Sequence, residues 1–568
     1  MPPISDTGFE NIMTSPLTQL NKHLQQLKYR GKQFLEQGEL VNATSTYRQI
    51  LEIKPNDIDS LYLLGLIADQ QNQTKDANIL LAKALDLSPD NPHILIALGN
   101  LYTKVGDYEK AVDSYEKLLK INSSNYGVYC YLAKNYSLLN DHNQAIKTLN
   151  NGLTIHPHEE VLYLLLEGQY NQISDSASAN AILKKCYQQG FRSENLFRAL
   201  ALSYRTIGNI DEAKRYYQEA YETYPNQPYF LYHLSRFAPE VINSDLYEKL
   251  NDEYNTNTLS QESRAFYQYV MAQYLRINGD FTSEMRLLIN GHRDFREASR
   301  FVLDTNFFLS ELPKFAKDRK KQILKSSSTS NTKAINAIKP IFFVGVPRSG
   351  STLIESVLSA NDKITKSMEE CGFILDAHLI SCLEQRKSYS KTFYAFVQDF
   401  LKKHELLDNG CYFTDKSLEN IYFIDIILKV FPNAKIIWTK RQPLASIVSI
   451  LQNNLVNLSW AHDLNDILEY FKATLDIIDY WKNKYPDQIY TINYEQFVSN
   501  PIEESQALYK FCELHWNEDC LKKYKHKPSN TASSVQIRKQ IHTGATKVFE
   551  NYVPVFEEYF EQHPWLKG

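Results

Sequence analysis

The sequence predicts two kinds of structure in one chain: an α superhelix of short helical repeats in the N-terminal half, and an α/β domain with a parallel sheet flanked by helices in the C-terminal half. Three observations lead there. Residues of matching type recur every 34 positions as far as Pro225. Beyond residue 336, apolar β-type runs at 341–345, 434–440 and 488–493 each lead into a turn or a helix-type pattern. The 568 residues, 43% hydrophobic and 23% charged, are enough for two or more domains with cores of their own.

Composition narrows the classes. A formal net charge of -4 supplies no global basic field, so nucleic acid and bulk membrane-surface binding are not expected. Cys130, Cys186, Cys371, Cys382, Cys411, Cys512 and Cys520 are scattered without CxxC pairs or His/Cys clusters, so neither a metal site nor a disulfide framework is expected. Residues 1–24 carry Pro2, Pro3 and Pro16 and lack the charged start and apolar core of a signal peptide; no apolar run reaches the ~20 residues of a membrane span. A cytoplasmic protein without an integral membrane segment is the expectation.

The repeats come first along the chain, after a tail at 1–24. Ala43, Ala77, Ala111, Ala145, Ala179 and Ala213 are spaced by 34; Tyr47, Leu81, Tyr115, Leu149, Leu183 and Tyr217 follow each by four, and Pro55, Pro89, Pro157 and Pro225 close most of the units. A small alanine lets two helices approach, the large residue fills the groove, and proline ends the pair. Gly31, Gly65 and Gly99 mark the close-contact point on the first helix of a pair. This period resembles the tetratricopeptide repeat (TPR), which implies stacked helix pairs with a groove for a peptide or partner protein. Six repeats are expected over 25–228, the fifth the least regular. A divergent helical region follows at 229–313, where the NGDF turn at 278–281 is similar to VGDY at 105–108. A Ser-rich, basic stretch at 314–335 reads as an exposed linker, and 336–568 as the α/β domain.

Within that domain, residues 341–360, IFFVGVPRSGSTLIESVLSA, read as strand, loop and helix. Gly345 and Gly350 bracket the turn, and Ser349, Ser351 and Thr352 add hydroxyls where a helix N-terminus contributes partial positive charge, so the loop is P-loop-like. An ATP or GTP loop would place lysine where Ser351 stands; Arg348 provides a cation inside the loop instead. A tight α/β turn without a ligand is the plainer alternative.

Two more segments add to it. Residues 434–451, AKIIWTKRQPLASIVSIL, set Arg441 and Ser449 in an Arg-x7-Ser spacing, and residues 488–501 give QIYTINYEQFVSNP, strand and turn. Together these resemble the 5′-phosphosulfate loop, the 3′-phosphate site and the YExxxxxP segment of sulfotransferases that use 3′-phosphoadenosine 5′-phosphosulfate (PAPS), in particular the protein-tyrosine branch and its bacterial TPR-linked relatives. The resemblance implies donor binding by Arg348, Ser349, Gly350, Ser351, Thr352, Arg441, Ser449 and Tyr494.

It implies catalytic residues as well. SMEECGF at 367–373 lies where that family carries a catalytic glutamate; ungapped counting from Arg348 places it on Glu369, one inserted residue on Glu370, and Met368 stands where a glycine usually precedes it. TDKSLEN at 414–420 is similar to the segment whose lysine, here Lys416, meets the bridging oxygen of the donor. Residues 531–552, TASSVQIRKQIHTGATKVFENY, resemble a closing segment over the nucleotide, with Ser534, Arg538 and Lys539 as contacts. No metal is implied. The acceptor stays open between a peptide or protein tyrosine, which the resemblance favours, and a carbohydrate or small alcohol. Homodimerisation is also open. A kinase or NTPase and an inactive TPR scaffold are the rival classes.

Overall fold

The computed structural model describes residues 16–317 apart from 174, 257 and 302, residues 335–524 apart from 384–388 and 408–409, and residues 541–568 apart from 542. The chain divides into two compact units, Met1–Arg192 and Ser193–Gly568.

Helix hairpins build the first unit, from Pro16–Glu36 with Leu40–Ile53 to Glu160–Gln172 with Ser176–Gln188. The 34-residue ladder is their packing code. Ala43, Ala77, Ala111, Ala145 and Ala179 are buried where paired helices touch. A methyl added to Gly65 would stand 2.6 Å from Leu81 Cγ, and one on Gly99 2.5 Å from Tyr115 Cζ, so the small residue and the large one are two halves of a single contact. Asp107, Asp141 and Asp175 cap the second helix of their pairs, each accepting from a backbone N–H three residues on.

The second unit opens with another hairpin, Glu194–Ile207 and Ile210–Thr223, followed by the helix Pro228–Phe237 and a longer hairpin, Gln261–Ile277 and Phe281–Ala298. The turn of that last hairpin has Gly279 at φ 80° and Asp280 capping through Ser283 N–H. Five parallel strands follow among the described residues: β1 (Lys339–Gly345), β2 (Ile364–Ser367), β3 (Tyr412–Asp415), β4 (Lys435–Lys440) and β5 (Ile489–Asn493), in the order β2-β3-β1-β4-β5. β1 and β4 are almost wholly buried, as expected of inner strands covered by helices on both faces. One apolar cluster runs from Tyr269 and Phe295 of the helical segment to Ile447 and Trp460 of the α/β part, so within this unit helices and sheet share a core.

Two local expectations change. The stretch read as an exposed linker begins instead with a helix, Leu312–Lys317, in which Ala316 is buried and the Phe315 ring lies 4.1 Å from that of His378; Leu312 and Phe315 were apolar anchors hidden among lysines. Residues 318–334 lie outside the described residues. After β5 the chain forms a short helix, Tyr494–Ser499, capped by Asn493, where a turn was expected. Among the described residues no helix is long and apolar enough to cross a membrane.

Candidate active site

Strand register assembles the site. Gly345 pairs with Thr439, so the loops after β1 and β4 leave the sheet side by side. Phe342 pairs with Asp415 and Ser367 with Thr414, which brings the segments after β2 and β3 to the same edge. The strand order turns back about β1, and in such sheets the crevice opens at the carboxyl ends of the strands. Arg348, Glu369, Glu370, Lys416 and Arg441 all lie just beyond those ends.

The loop after β1 is held in unusual backbone geometry. Arg348 has φ 66° and Gly350 φ 90°; the first is uncommon for a non-glycine residue, and non-glycine outliers of this kind gather at functional sites. Gly350 caps the helix Ser351–Ser359, with Ser351 and Thr352 in its first turn. A methyl on Gly350 would stand 2.2 Å from Tyr494 Cδ2. Tyr494 in turn lies against the Arg441 guanidinium, 4.8 Å from ring centre to Cζ.

Hydrogen bonds join the two expected phosphate sites into one. Arg348 Nε donates to Ser449 Oγ at 2.9 Å, Arg441 Nη1 donates to the Arg348 carbonyl at 2.8 Å, and Ser349 Oγ lies 2.7 Å from Thr439 Oγ1. Ser449 rides on the helix Pro443–Leu451, whose start is fixed by Gln442 accepting from Ala445 N–H. Burial and the positive charges of Arg236 and Arg441 push the Arg348 guanidinium below its ordinary range. A buried guanidinium lowered in this way by neighbouring cations is stabilised by an anion.

On the other side of the crevice Lys416 is fully buried. Its Nζ meets Glu370 Oε1 at 2.5 Å, while its backbone N–H donates to the Glu369 carbonyl at 2.7 Å. Burial opposes the ammonium charge, but the carboxylates of Glu370, Glu355 and Glu369 outweigh it, and the Lys416 pKa is raised. Glu369 has φ 48°, a second non-glycine residue held in the left-handed region. Burial pushes Asp415 up to about 6 and Glu419 up to about 7, with neighbouring carboxylates adding to both shifts.

Two residues escaped sequence reading. Glu355, buried in the helix after the loop, accepts from Ser367 Oγ at 2.8 Å and Thr414 Oγ1 at 2.7 Å, tying the ends of β2 and β3 together beneath Lys416. Its signal was a single carboxylate in the mostly apolar run LIESVL. Arg236, from the helical segment, gave no signal. Ser534, Arg538 and Lys539 lie outside the described residues. Among the described residues no group of three or more His, Cys, Asp or Glu side chains is arranged to hold a metal ion.

Comparison with known proteins agrees with this architecture. Residues 340–518 match the model of the sulfotransferase family, and 58–91, 94–125 and 194–237 match tetratricopeptide repeat models. The chain thus carries a sulfotransferase-family domain together with TPR repeats. An uncharacterised protein of Aquifex aeolicus is 24% identical over 62% of this chain and 48% of its own length. Protein-tyrosine sulfotransferase 1 of Danio rerio is 24% identical over 33% of this chain and 56% of its own, and protein-tyrosine sulfotransferase of Drosophila melanogaster 21% over 39% and 48%. The chain therefore spans about half the length of these curated relatives. A crystal structure of MamA matches 30% of this chain and 92% of its own, at 20% identity and a TM-score of 0.28.

Proposed function

We propose that the chain is a PAPS-dependent sulfotransferase that moves a sulfuryl group to an acceptor hydroxyl, with a tyrosine of a peptide or protein as the favoured acceptor. The observation that carries the reading is the joined pair of anion sites: Arg348 of the loop after β1 reaches Ser449, while Arg441 of the loop after β4 reaches back to Arg348. A donor phosphorylated at both 3′ and 5′ positions needs two such sites at a fixed separation. Ser351, in place of the lysine of an ATP or GTP loop, counts against an NTPase. The fit to the donor also rests on the Gly350 cradle, where a Cβ would collide with Tyr494.

In this reading Arg348, Ser349, Gly350, Ser351 and Thr352 hold the 5′ end, and Arg441 and Ser449 the 3′-phosphate. Tyr494 backs Arg441. Glu369 takes the proton of the acceptor hydroxyl as the new O–S bond forms, and Lys416 with Arg348 balances the charge on the phosphate oxygen that keeps the electron pair of the broken S–O bond. Glu369 is preferred to Glu370 because ungapped counting from Arg348 places the family's glutamate there, while the Glu370 carboxylate accepts from Lys416 Nζ. The tyrosine acceptor draws on the names of the relatives, and the TPR repeats offer a place for a polypeptide.

The test is incubation of the full chain with sulfur-labelled PAPS and panels of tyrosine peptides, glycans and small alcohols. Label transferred to tyrosine peptides supports the reading; label on glycans alone would move the acceptor class; no transfer to anything, with no donor turnover, would overturn it.

A further inference from the structure

The helix Pro228–Phe237 belongs to the helical-repeat segment, and its Arg236 reaches across to the turn that ends the Ser449 helix. Arg236 Nη2 donates to Asn453 Oδ1 at 2.5 Å, and Nη1 donates to Tyr232 Oη at 3.0 Å and to the Gln452 carbonyl at 3.4 Å. Asn453 Nδ2 donates to the Ser449 carbonyl at 2.6 Å, and Tyr232 Oη accepts from Asn454 N–H at 3.3 Å. Tyr232 and Arg236 therefore stitch the helical segment to the very turn that presents the Ser449 hydroxyl.

The partners of Arg236 are all neutral. A guanidinium has five N–H donors, and these three contacts occupy both protons of Nη1 and one of Nη2. Nε–H and the second Nη2 proton make up the side-on fork that matches two oxygens of a phosphate. Arg236 is solvent-accessible and lines the cavity described next.

A cavity of about 230 Å³ lies at this seam, lined by Arg236, Arg276 and Glu284 on one side and by Ser449, Gln452 and Asn453 on the other. That is far more than one water needs. Glu284 is already satisfied: it accepts from Gln452 Nε2 at 2.9 Å and Tyr552 Oη at 2.8 Å, and faces Arg276 at 3.8 Å. The remaining charge in the cavity is positive, with the Arg348 guanidinium just behind Ser449. Among the charges that depress Arg348, that of Arg236 exceeds that of Arg441.

We infer that Arg236 is a specificity-determining residue of the donor site, a cation supplied by the helical-repeat segment that grips the ribose 3′-phosphate of the nucleotide against the Ser449 hydroxyl. The inference rests on the reading of Arg441 and Ser449 as the 3′-phosphate site and adds to it. A phosphate monoester carries close to two negative charges near neutral pH, and Arg441 and Arg236 would each balance part of that charge. It follows that the helical segment contributes directly to donor selection, beside any part the repeats play in holding the acceptor.

The experiment titrates adenosine 3′,5′-bisphosphate and adenosine 5′-monophosphate, which lacks the 3′-phosphate, into the full-length wild type, Arg236→Met and Arg236→Lys by calorimetry. Loss of one charge-assisted contact should weaken bisphosphate binding by about 10- to 100-fold in Arg236→Met, with an intermediate loss in Arg236→Lys and monophosphate affinity within about 2-fold of wild type in both. If Arg236→Met keeps the wild-type preference for the bisphosphate, the inference is overturned while the donor reading stands. If Arg236→Met loses both nucleotides equally, Arg236 serves the loop's fold and the inference is overturned as well. A wild type that shows no preference for the bisphosphate would remove the donor reading and this inference together.

Discussion

Replacing Gly350 by alanine tests how tightly loop, tyrosine and arginine are coupled. Gly350 has φ 90°, where an L-residue costs about 1–2 kcal/mol. The new methyl would start 2.2 Å from Tyr494 Cδ2. Carbon atoms settle at about 3.5–4.0 Å, so the ring has to retreat by more than about 1 Å. Tyr494 cannot do so without leaving the Arg441 guanidinium, a contact worth about 0.5–2 kcal/mol. The two terms together give about 1.5–4 kcal/mol, or roughly a 10- to 700-fold loss of affinity for adenosine 3′,5′-bisphosphate by calorimetry. A double-mutant cycle separates them: with Tyr494→Ala already in place the clash is gone, and Gly350→Ala should cost only the backbone share of about 1–2 kcal/mol. Gly350→Ala binding the bisphosphate within about 2-fold of wild type, or strict additivity with Tyr494→Ala, would refute the coupling.

Other outcomes follow from the same geometry. Glu369→Gln should lower kcat by about 10²–10⁴-fold with donor binding little changed, whereas Glu370→Gln, by releasing Lys416, should alter donor affinity more than kcat; the reverse pattern in steady-state kinetics would make Glu370 the base. A buried pair, His292 Nδ1 and His462 Nδ1 at 2.9 Å, joins the helical segment to the α/β part of the second unit. Burial holds His292 down to about 4, and burial together with the charges of His292 and Arg296 holds His462 lower still, so below about pH 6.5 the unfolded chain takes up protons that the folded one does not. Stability should therefore fall as pH drops from about 6.5 toward about 4. Melting curves of the wild type should show this fall more steeply than those of His462→Phe, and parallel curves would contradict it.

Much of this was legible in the sequence because the signals were periodic or unbroken. The TPR ladder could be read by subtraction, since one helix contact, Gly65 against Leu81 or Gly99 against Tyr115, repeats at a fixed interval. β1 and β4 could be read because inner parallel strands are continuously apolar. β2 and β3 are four residues each, too short for any period to register, and their loops were found by resemblance instead. The helix Leu312–Lys317 was obscured by the lysines around its two apolar anchors. Arg236 was invisible for a different reason: it lies 112 residues before Arg348 (348 minus 236) and enters the site only through tertiary packing, which no local pattern encodes.

The central claim is that the crevice binds a nucleotide phosphorylated at both the 3′ and 5′ positions. The most direct measurement is calorimetric titration of adenosine 3′,5′-bisphosphate, and of ATP with Mg²⁺, into the wild type, Arg348→Ala and Arg441→Ala. The account predicts micromolar binding of the bisphosphate that is lost in both variants, with weak binding of ATP. Tight ATP binding with none of the bisphosphate would contradict it and leave a TPR-linked NTPase to explain.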